Sequence, residues 1–203
     1  MTITRESVVE NGLCKLVKQL SWEVYNNQLQ TSVFEILEDS GYSKEEINMA
    51  YKVNHSHFNK CNRIKKRILK MEEHKAKDNL KMFFATFTFN NETLENNSKE
   101  SLKTYVRRFL KDYCIDYLAN VDYGKKNGRI HFLAVCIAKD VLPYEEWYEV
   151  HNYGTLKVEY CRLDKEKNEE KKMSKYINKL SLHAIKDTTG LKRIITARNV
   201  KRD

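Results

Sequence analysis

The sequence has few residues that interrupt secondary structure, and it has no long apolar run. Its 203 residues include one proline and six glycines, so we expect few and rather long helices and strands. No apolar run approaches the roughly 18 residues that a membrane-spanning helix needs. The N-terminus also lacks the apolar core of a signal peptide. We therefore expect a cytoplasmic protein that has no membrane partner.

Cysteine is present, but without the spacing that indicates a zinc site or a disulfide framework. The five cysteines are an odd number and form no Cys-x-x-Cys pair. Reduced thiols in a cytosolic compartment are the simplest interpretation, and a structural zinc site is not expected. The cysteines lie at positions 14, 61, 114, 136 and 161.

Hydrophobic residues and positive charge are both present in quantity. Hydrophobic residues make up 41% of the chain and aromatic residues 11%, which is enough to build a core. The formal net charge is +9, and a charge of this sign favours a polyanionic partner. A lysine-rich solvated surface explains the same number, so charge alone leaves both interpretations open.

Residues 1–77 are predicted to form a helical N-terminal region. Apolar residues recur there at spacings of three and four, and Ser43 with Glu46 matches a capping box. A basic helix follows, and it includes Lys65, Lys66 and Arg67. Short helices that end in a basic one are typical of helix-turn-helix-like DNA-binding units, in which these three residues would contact DNA. A helical appendage that packs on the main domain or dimerises is the alternative.

From residue 81 the pattern predicts the element order β-α-β-β-α-β-α. This order indicates an α+β protein with a ferredoxin-like or RRM-like antiparallel sheet and helices on one face. In the first strand, 82–89, the aromatic residues alternate with Thr86 and Thr88, which share the more polar face. An open face of this kind suits single-stranded nucleic acid. Residues 186–203 are predicted to be a basic C-terminal tail.

Residues 120–136 read as two strands joined by a tight turn. Asn-Gly at 127–128 is a strong hairpin signal, because both residues of a type I′ turn need positive φ. A two-residue loop places Asp122 opposite Leu133, and a four-residue loop places it opposite His131. Either register puts Asp122 and His131 on one face of the sheet. A carboxylate and an imidazole on one face predict a divalent metal site.

The last predicted helix, about 169–184, carries Tyr176 with Lys179 three residues later, on the same side. Tyrosine is a covalent nucleophile in some enzymes, although its pKa of about 10 makes the phenol weak at neutral pH. A metal and a nearby lysine compensate by neutralising phosphate charge. Taken alone, the pattern also describes an amphipathic tyrosine at the edge of a core.

Three stretches in this order resemble the HUH superfamily of endonucleases, the replication initiators (Rep proteins) of rolling-circle plasmids, phages and small single-stranded DNA viruses. The resemblance covers about residues 81–185, and it places the chain in a bacterial host cell or a virus-infected cell. The stretches are Phe84-Ala-Thr-Phe-Thr-Phe89, Asp122-Tyr-Gly-Lys-Lys-Asn-Gly-Arg-Ile-His131 and Tyr176-Ile-Asn-Lys179.

The resemblance implies nicking and joining of single-stranded origin DNA with Mg²⁺ or Mn²⁺ as cofactor. Tyr176 would attack the scissile phosphodiester and form a 5′-phosphotyrosine, and Lys179 would assist at the phosphate. Asp122 and His131 would bind the metal. Arg129, together with the two threonines of the first strand, is a candidate for contact with DNA. No Walker motif is present, so a helicase would be a separate partner. The oligomeric state stays open.

The sequence departs from the family at Leu133, where the second motif has histidine or glutamine. Two protein ligands and water would then hold the metal, which magnesium accepts because it keeps several waters. The alternative is a non-catalytic DNA-binding module, either a degenerate Rep domain or an RRM-like sheet, for origin recognition or repression. A relaxase-like protein fits less well, because relaxases usually place the tyrosine before the histidine motif.

Overall fold

The computed structural model describes residues 3–26, 28, 30–124, 128–163, 168–177 and 194–197. The seven helices of this part are α1 (Arg5–Glu10), α2 (Leu13–Tyr25), α3 (Val33–Asp39), α4 (Lys44–Asp78), α5 (Asn91–Asn96), α6 (Lys99–Tyr113) and α7 (Glu169–Ile177). Its five strands are β1 (Lys81–Phe89), β2 (Asp116–Tyr123), β3 (Ile130–Ala138), β4 (Gly154–Tyr160) and β5 (Ile194–Thr196). A π-helical turn, Glu146–Val150, precedes β4.

The N-terminal part of the chain is helical, as its apolar spacing predicts. Thr4 and Ser32 begin α1 and α3 with capping boxes, and buried aliphatic side chains such as Leu13, Leu37 and Ile47 form a core. The capping box at Ser43 predicts the start of one helix, and the basic helix was expected to be a separate one after it; the structure has both as a single helix, α4. No proline or glycine lies between Lys44 and Asp78 to end it.

Within the described residues, the chain divides into two compact units. The first ends at Lys60 and the second begins at Cys61, so the change falls inside α4. The boundary predicted after residue 77 stays a prediction.

In the described part, no helix is both long and apolar enough to cross a membrane. All five cysteines are free thiols.

The second unit is built on an antiparallel sheet with the strand order β4-β1-β3-β2-β5. This confirms the predicted α+β class. Asp122 lies opposite His131, so the register of the four-residue loop is the one that forms. β5 was not expected. It lies in the segment predicted as a basic tail, and a three-residue strand is too short to stand out in the sequence.

Helices cover both faces of the sheet. On the face of Phe87, which we call the α6 face, Phe109 of α6 packs edge-on against Phe87, with 5.6 Å between ring centroids. On the face of Thr86 and Thr88, which we call the α7 face, Asn120 Nδ2 donates a hydrogen bond of 2.7 Å to the Ile177 carbonyl of α7. The expectation of helices on one face is therefore wrong.

The α7 face needs this cover because one end of it is apolar. Met82, Leu118 and Val135 lie there, and they are buried in one core cluster with residues of α4 and α7. Apolar area of this kind stabilises the fold by roughly 25 cal/mol per Å² removed from water. The other end, around Thr88 and His131, is polar. The helices thus leave polar groups at one end of the face and bury the apolar ones at the other.

Two ion pairs accompany the packing of α4. Arg67 pairs with Asp116 of β2, and Lys65 lies 3.1 Å from a carboxylate oxygen of Glu170 in α7. Burial raises the pKa of Asp116, and the charge of Arg67 opposes that rise. Burial would also raise the pKa of Glu170, but the hydrogen bond from Lys65, a backbone hydrogen bond and the charges of Lys65 and Lys171 together lower it. These cations therefore stabilise buried carboxylates.

We expect Arg67→Met to lower the free energy of unfolding by about 3 kcal/mol, because it leaves a buried carboxylate without its charge partner. Adding Asp116→Asn should recover part of that loss. The matched control is Lys66→Met on the exposed side of α4, which should change the same free energy by less than about 0.5 kcal/mol. Urea unfolding measures all four proteins. Equal losses for Arg67→Met and Lys66→Met would contradict the role of the pair.

Candidate functional site

The polar end of the α7 face brings three strands together at one level. Thr88 of β1 and Asp122 of β2 both lie directly opposite His131 of β3, which runs between them. The three side chains therefore point to the same side of the sheet. Thr88 Oγ1 lies 3.1 Å from His131 Nδ1, within hydrogen-bond distance. The predicted pairing of a carboxylate with an imidazole on one face is present.

The hydrogen bond of Thr88 bears on metal binding by His131. When Nδ1 carries the proton, it donates to Thr88 Oγ1, and Nε2 keeps the lone pair that a metal requires. One imidazole and one carboxylate fit a cation that completes its shell with water and phosphate oxygens. Among the described residues, no three His, Cys, Asp or Glu side chains lie close enough to share an ion. Within the described part of the chain, the candidate donors of these types are therefore the Asp122–His131 pair.

Asn120 adds an unexpected polar group next to this pair. It precedes Asp122 by two residues on the same face of β2, and Leu133 lies opposite it. Asn120 is only 4% exposed, and its Oδ1 has no hydrogen-bond partner in the described part of the chain. Buried amide oxygens normally have one. The side chain is held by the hydrogen bond from its Nδ2 to Ile177.

Tyr176 lies on the same face of the sheet as the Asp122–His131 pair. Its ring packs against Phe84, with 5.5 Å between centroids, and the residue stays 55% exposed. Phe84 and Thr88 share the α7 face, since they are four residues apart on β1. The phenol does not point into the core. Lys179 lies outside the described residues.

Lys157 is a cation beside Tyr176 that the sequence did not single out. It lies opposite Thr86 across β1 and β4 and is exposed. Its hydrogen bond to Glu159, 2.8 Å away, raises the pKa of the ammonium, the charge of Glu159 adds to this, and the charge of Tyr176 adds a smaller part. The alternation of apolar residues in β4 places Lys157 on the face opposite to them, but the neighbouring strand could not be read from the sequence.

The other predicted DNA-contacting residues have diverse surroundings. Arg129 donates a hydrogen bond to the Phe89 carbonyl at the end of β1. Lys65 and Arg67 are engaged in the ion pairs of α4, whereas Lys66 is exposed. Thr86 lies opposite Leu133 on the α7 face, next to Thr88. Contact of these residues with DNA stays a prediction.

The position of Thr88 depends on a close approach by Gly154. Gly154 has φ of 138° and lies opposite Phe89, at the start of β4. A Cβ atom there would collide with the Thr88 carbonyl oxygen and come within 2.7 Å of the Asn90 nitrogen. Only glycine accepts both this backbone conformation and this contact.

We expect Gly154→Ala to destabilise the protein by more than the roughly 1 kcal/mol that positive φ alone costs. The matched control is Gly41→Ala, since Gly41 has φ of 89° but nothing within 4 Å of the added Cβ. Thermal unfolding compares the two variants. The NMR signals of His131 should shift in Gly154→Ala and stay unchanged in Gly41→Ala. Equal destabilisation in both would mean that the contact with β1 is unimportant.

Comparisons of the chain with known proteins gave no further guide to this site. The chain matches no family model, no curated protein and no solved structure. A functional assignment therefore rests on the arrangement of Tyr176, Asp122 and His131 on the α7 face.

Proposed function

We propose that this protein nicks and joins single-stranded DNA with Tyr176 as the nucleophile and so initiates rolling-circle replication of a plasmid, phage or virus. The observation that carries the proposal is the exposed tyrosine on the same face of the sheet as Asp122 and His131. A phenol and a candidate metal pair on one surface provide the parts of a metal-assisted phosphodiester transfer.

The strand order supports a ferredoxin-like sheet of the kind that the HUH endonucleases have. β3 lies between β1 and β2, the arrangement that a split β-α-β unit produces, and β4 pairs with the other edge of β1. α6 connects β1 to β2 and packs on one face. We therefore propose that residues 78–185 form a Rep-like nuclease domain.

The spacing along β1 suits a phosphate group between the tyrosine and the pair. Tyr176 packs on Phe84, and Lys157 lies two residues farther along β1, at the level of Thr86. His131 lies at the level of Thr88, two residues farther, which is about 7 Å along a strand. A phosphodiester that bridges this distance can face the phenol on one side and the Asp122–His131 pair on the other.

In the proposed reaction, the Tyr176 phenol gives up its proton to solvent, its oxygen attacks the scissile phosphorus, and the bond to the 3′ oxygen breaks. The phosphate remains on Tyr176 as a 5′-phosphotyrosine, and the 3′ oxygen takes up a proton to become a hydroxyl that primes synthesis. In a second step, a 3′-hydroxyl attacks the phosphotyrosine, which closes the strand and restores the phenol. Asp122 and His131 would hold Mg²⁺ or Mn²⁺, which would polarise the phosphate and stabilise charge on the departing oxygen.

The neighbouring side chains have supporting roles in this proposal. Thr88 fixes the imidazole of His131, as hydrogen bonds to metal-binding histidines usually do. Lys157 presents a positive charge beside the phenol and the phosphate. Lys179, outside the described residues, would assist at the same phosphate. Lys66 on α4 is a candidate for contact with the rest of the DNA strand.

The expected result with Mn²⁺ and single-stranded origin oligonucleotides is a covalent protein–DNA adduct on the 5′ side of the nick. Tyr176→Phe should abolish the adduct, because the attacking oxygen is removed. Tyr148→Phe is the matched control, since Tyr148 is 59% exposed and should be dispensable. Denaturing gels that resolve the shifted protein band measure both variants. An adduct that survives in Tyr176→Phe would contradict the assignment.

Metal binding can be measured without DNA. We expect His131→Ala and Asp122→Asn each to weaken Mn²⁺ binding by about tenfold or more, because each removes one of two protein ligands. Electron paramagnetic resonance of free Mn²⁺ provides the measurement. His55→Ala serves as the control, since His55 is exposed on α4. Unchanged Mn²⁺ affinity in both site variants would mean that the pair does not hold the metal.

A second candidate function is DNA binding without cleavage, for origin recognition or repression. Leu133 favours it, because this side chain is 2% exposed at the level of Asn120 and cannot ligate a metal. A wild-type protein that retains single-stranded origin DNA but forms no adduct would establish this function and exclude nicking.

A further inference from the structure

A cavity of about 600 Å³ lies beside α6, away from the Tyr176 site. Tyr117, which contributes to its wall, belongs to the α6 face of the sheet, whereas Tyr176 lies on the α7 face. A volume of this size is in the range of small-ligand sites. Six of its lining residues are Thr104, Arg107, Arg108, Lys111, Tyr117 and Thr196.

The polar wall of the cavity follows from the periodicity of α6. Thr104, Arg107, Arg108 and Lys111 are spaced by three and four residues, so they form one stripe along the helix. The buried residues of α6, such as Val106 and Leu110, occupy the adjacent stripe that packs on the sheet. The amphipathic pattern that docks α6 therefore also lines the cavity with three cations.

Among the described residues, these three cations have no acidic counterpart in the cavity. The described part of the lining contains no aspartate or glutamate, and no described carboxylate lies within ion-pair distance of Arg107, Arg108 or Lys111. Like charges on one helix face repel one another, so a bound anion would relieve the repulsion. The cavity is therefore electrostatically suited to a ligand with more than one negative charge.

The side chains indicate which kind of anion fits. Guanidinium groups bind phosphate through two parallel hydrogen bonds, and lysine adds a point charge. The hydroxyl group of Thr104 is a further donor on the same wall. A single phosphate would fill only a small part of 600 Å³. The chemistry and the volume together favour a nucleotide-sized molecule that carries phosphate.

We propose that this cavity binds the phosphate groups of a nucleotide, presented either as a free nucleoside triphosphate or as the 5′-phosphorylated end of a DNA strand. The site is separate from Tyr176, Asp122 and His131, and it does not depend on nicking. Arg107 and Lys111 are the principal contacts, because they lie one turn apart and both are exposed to the cavity.

Cys114 provides a native reporter of occupancy. It lines the cavity and is half-buried, whereas the other four cysteines are buried. Alkylation of the native protein by N-ethylmaleimide should therefore modify Cys114 first, and a bound ligand should slow that reaction. Cys114→Ser removes the signal and identifies its source.

The experiment titrates the full chain with ATP, with inorganic pyrophosphate, and with tetrathymidylate with or without a 5′-phosphate. Calorimetry measures affinity, and the alkylation rate of Cys114 locates the ligand. The test variant is Arg107→Gln with Lys111→Gln, both exposed positions where glutamine suits a helix. The matched control is Lys15→Gln with Lys18→Gln on the exposed side of α2, which removes the same two charges.

We expect at least one phosphate ligand to bind the wild type and protect Cys114. The test variant should lose about tenfold or more in affinity together with the protection, because two charged contacts are removed, whereas the control keeps both. Binding of ATP and pyrophosphate identifies a free nucleotide, and binding of only the 5′-phosphorylated oligonucleotide identifies a strand end. Equal affinities in test and control variants, or no protection of Cys114 by any probe, would overturn the proposal.

Discussion

The second unit of this protein depends on the pairing of β3 with β1 on one side and β2 on the other. β3 is antiparallel to both, and its residues are buried from Phe132 to Ala138. Because side chains alternate along a strand, a slip of one residue in this pairing would exchange the two faces. The aromatic core around Phe87 and the polar group around His131 would then both be lost. The same register therefore sets the core and the candidate site.

The α7 face divides into an apolar end and a polar end, and this division explains where the helices lie. Leu118 and Val135 require cover from α4 and α7, and the pair of Arg67 with Asp116 accompanies that packing. The polar end, with Thr88 and His131, has no comparable apolar area to bury. Helix α7, which helps to bury the apolar end of this face, also places Tyr176 on the same face, beside Phe84.

The lysines and arginines that give the chain its net charge of +9 are of two kinds, some paired with buried carboxylates and others exposed. Arg67 and Lys65 neutralise carboxylates that packing has removed from water, so their charge belongs to the fold. Arg107 and Lys111 have no such partner in the described residues, and they line a cavity. Composition alone cannot separate the two kinds of cation, because a lysine or arginine contributes the same charge wherever it lies.

The sequence by itself determined the features that depend on neighbours along the chain. Alternation in β1 and the antiparallel pair of strands that contains Asp122 and His131 follow from local patterns, and the structure has both. The predicted pairing of Asp122 with His131 on one face has the same origin. That prediction depends only on the alternation of side chains along a strand, which puts both residues on one face for either loop length.

The tertiary structure alone decided what depends on distant residues. Thr88 and His131 are 43 residues apart, and their hydrogen bond follows from the strand order, which local patterns do not specify. The orphan oxygen of Asn120 and the place of Lys157 beside Tyr176 also required the pairing of separate strands. Helices on both faces were missed because the apolar end of the α7 face comes from β1, β2 and β3 together. No single strand contains enough of that surface to reveal it.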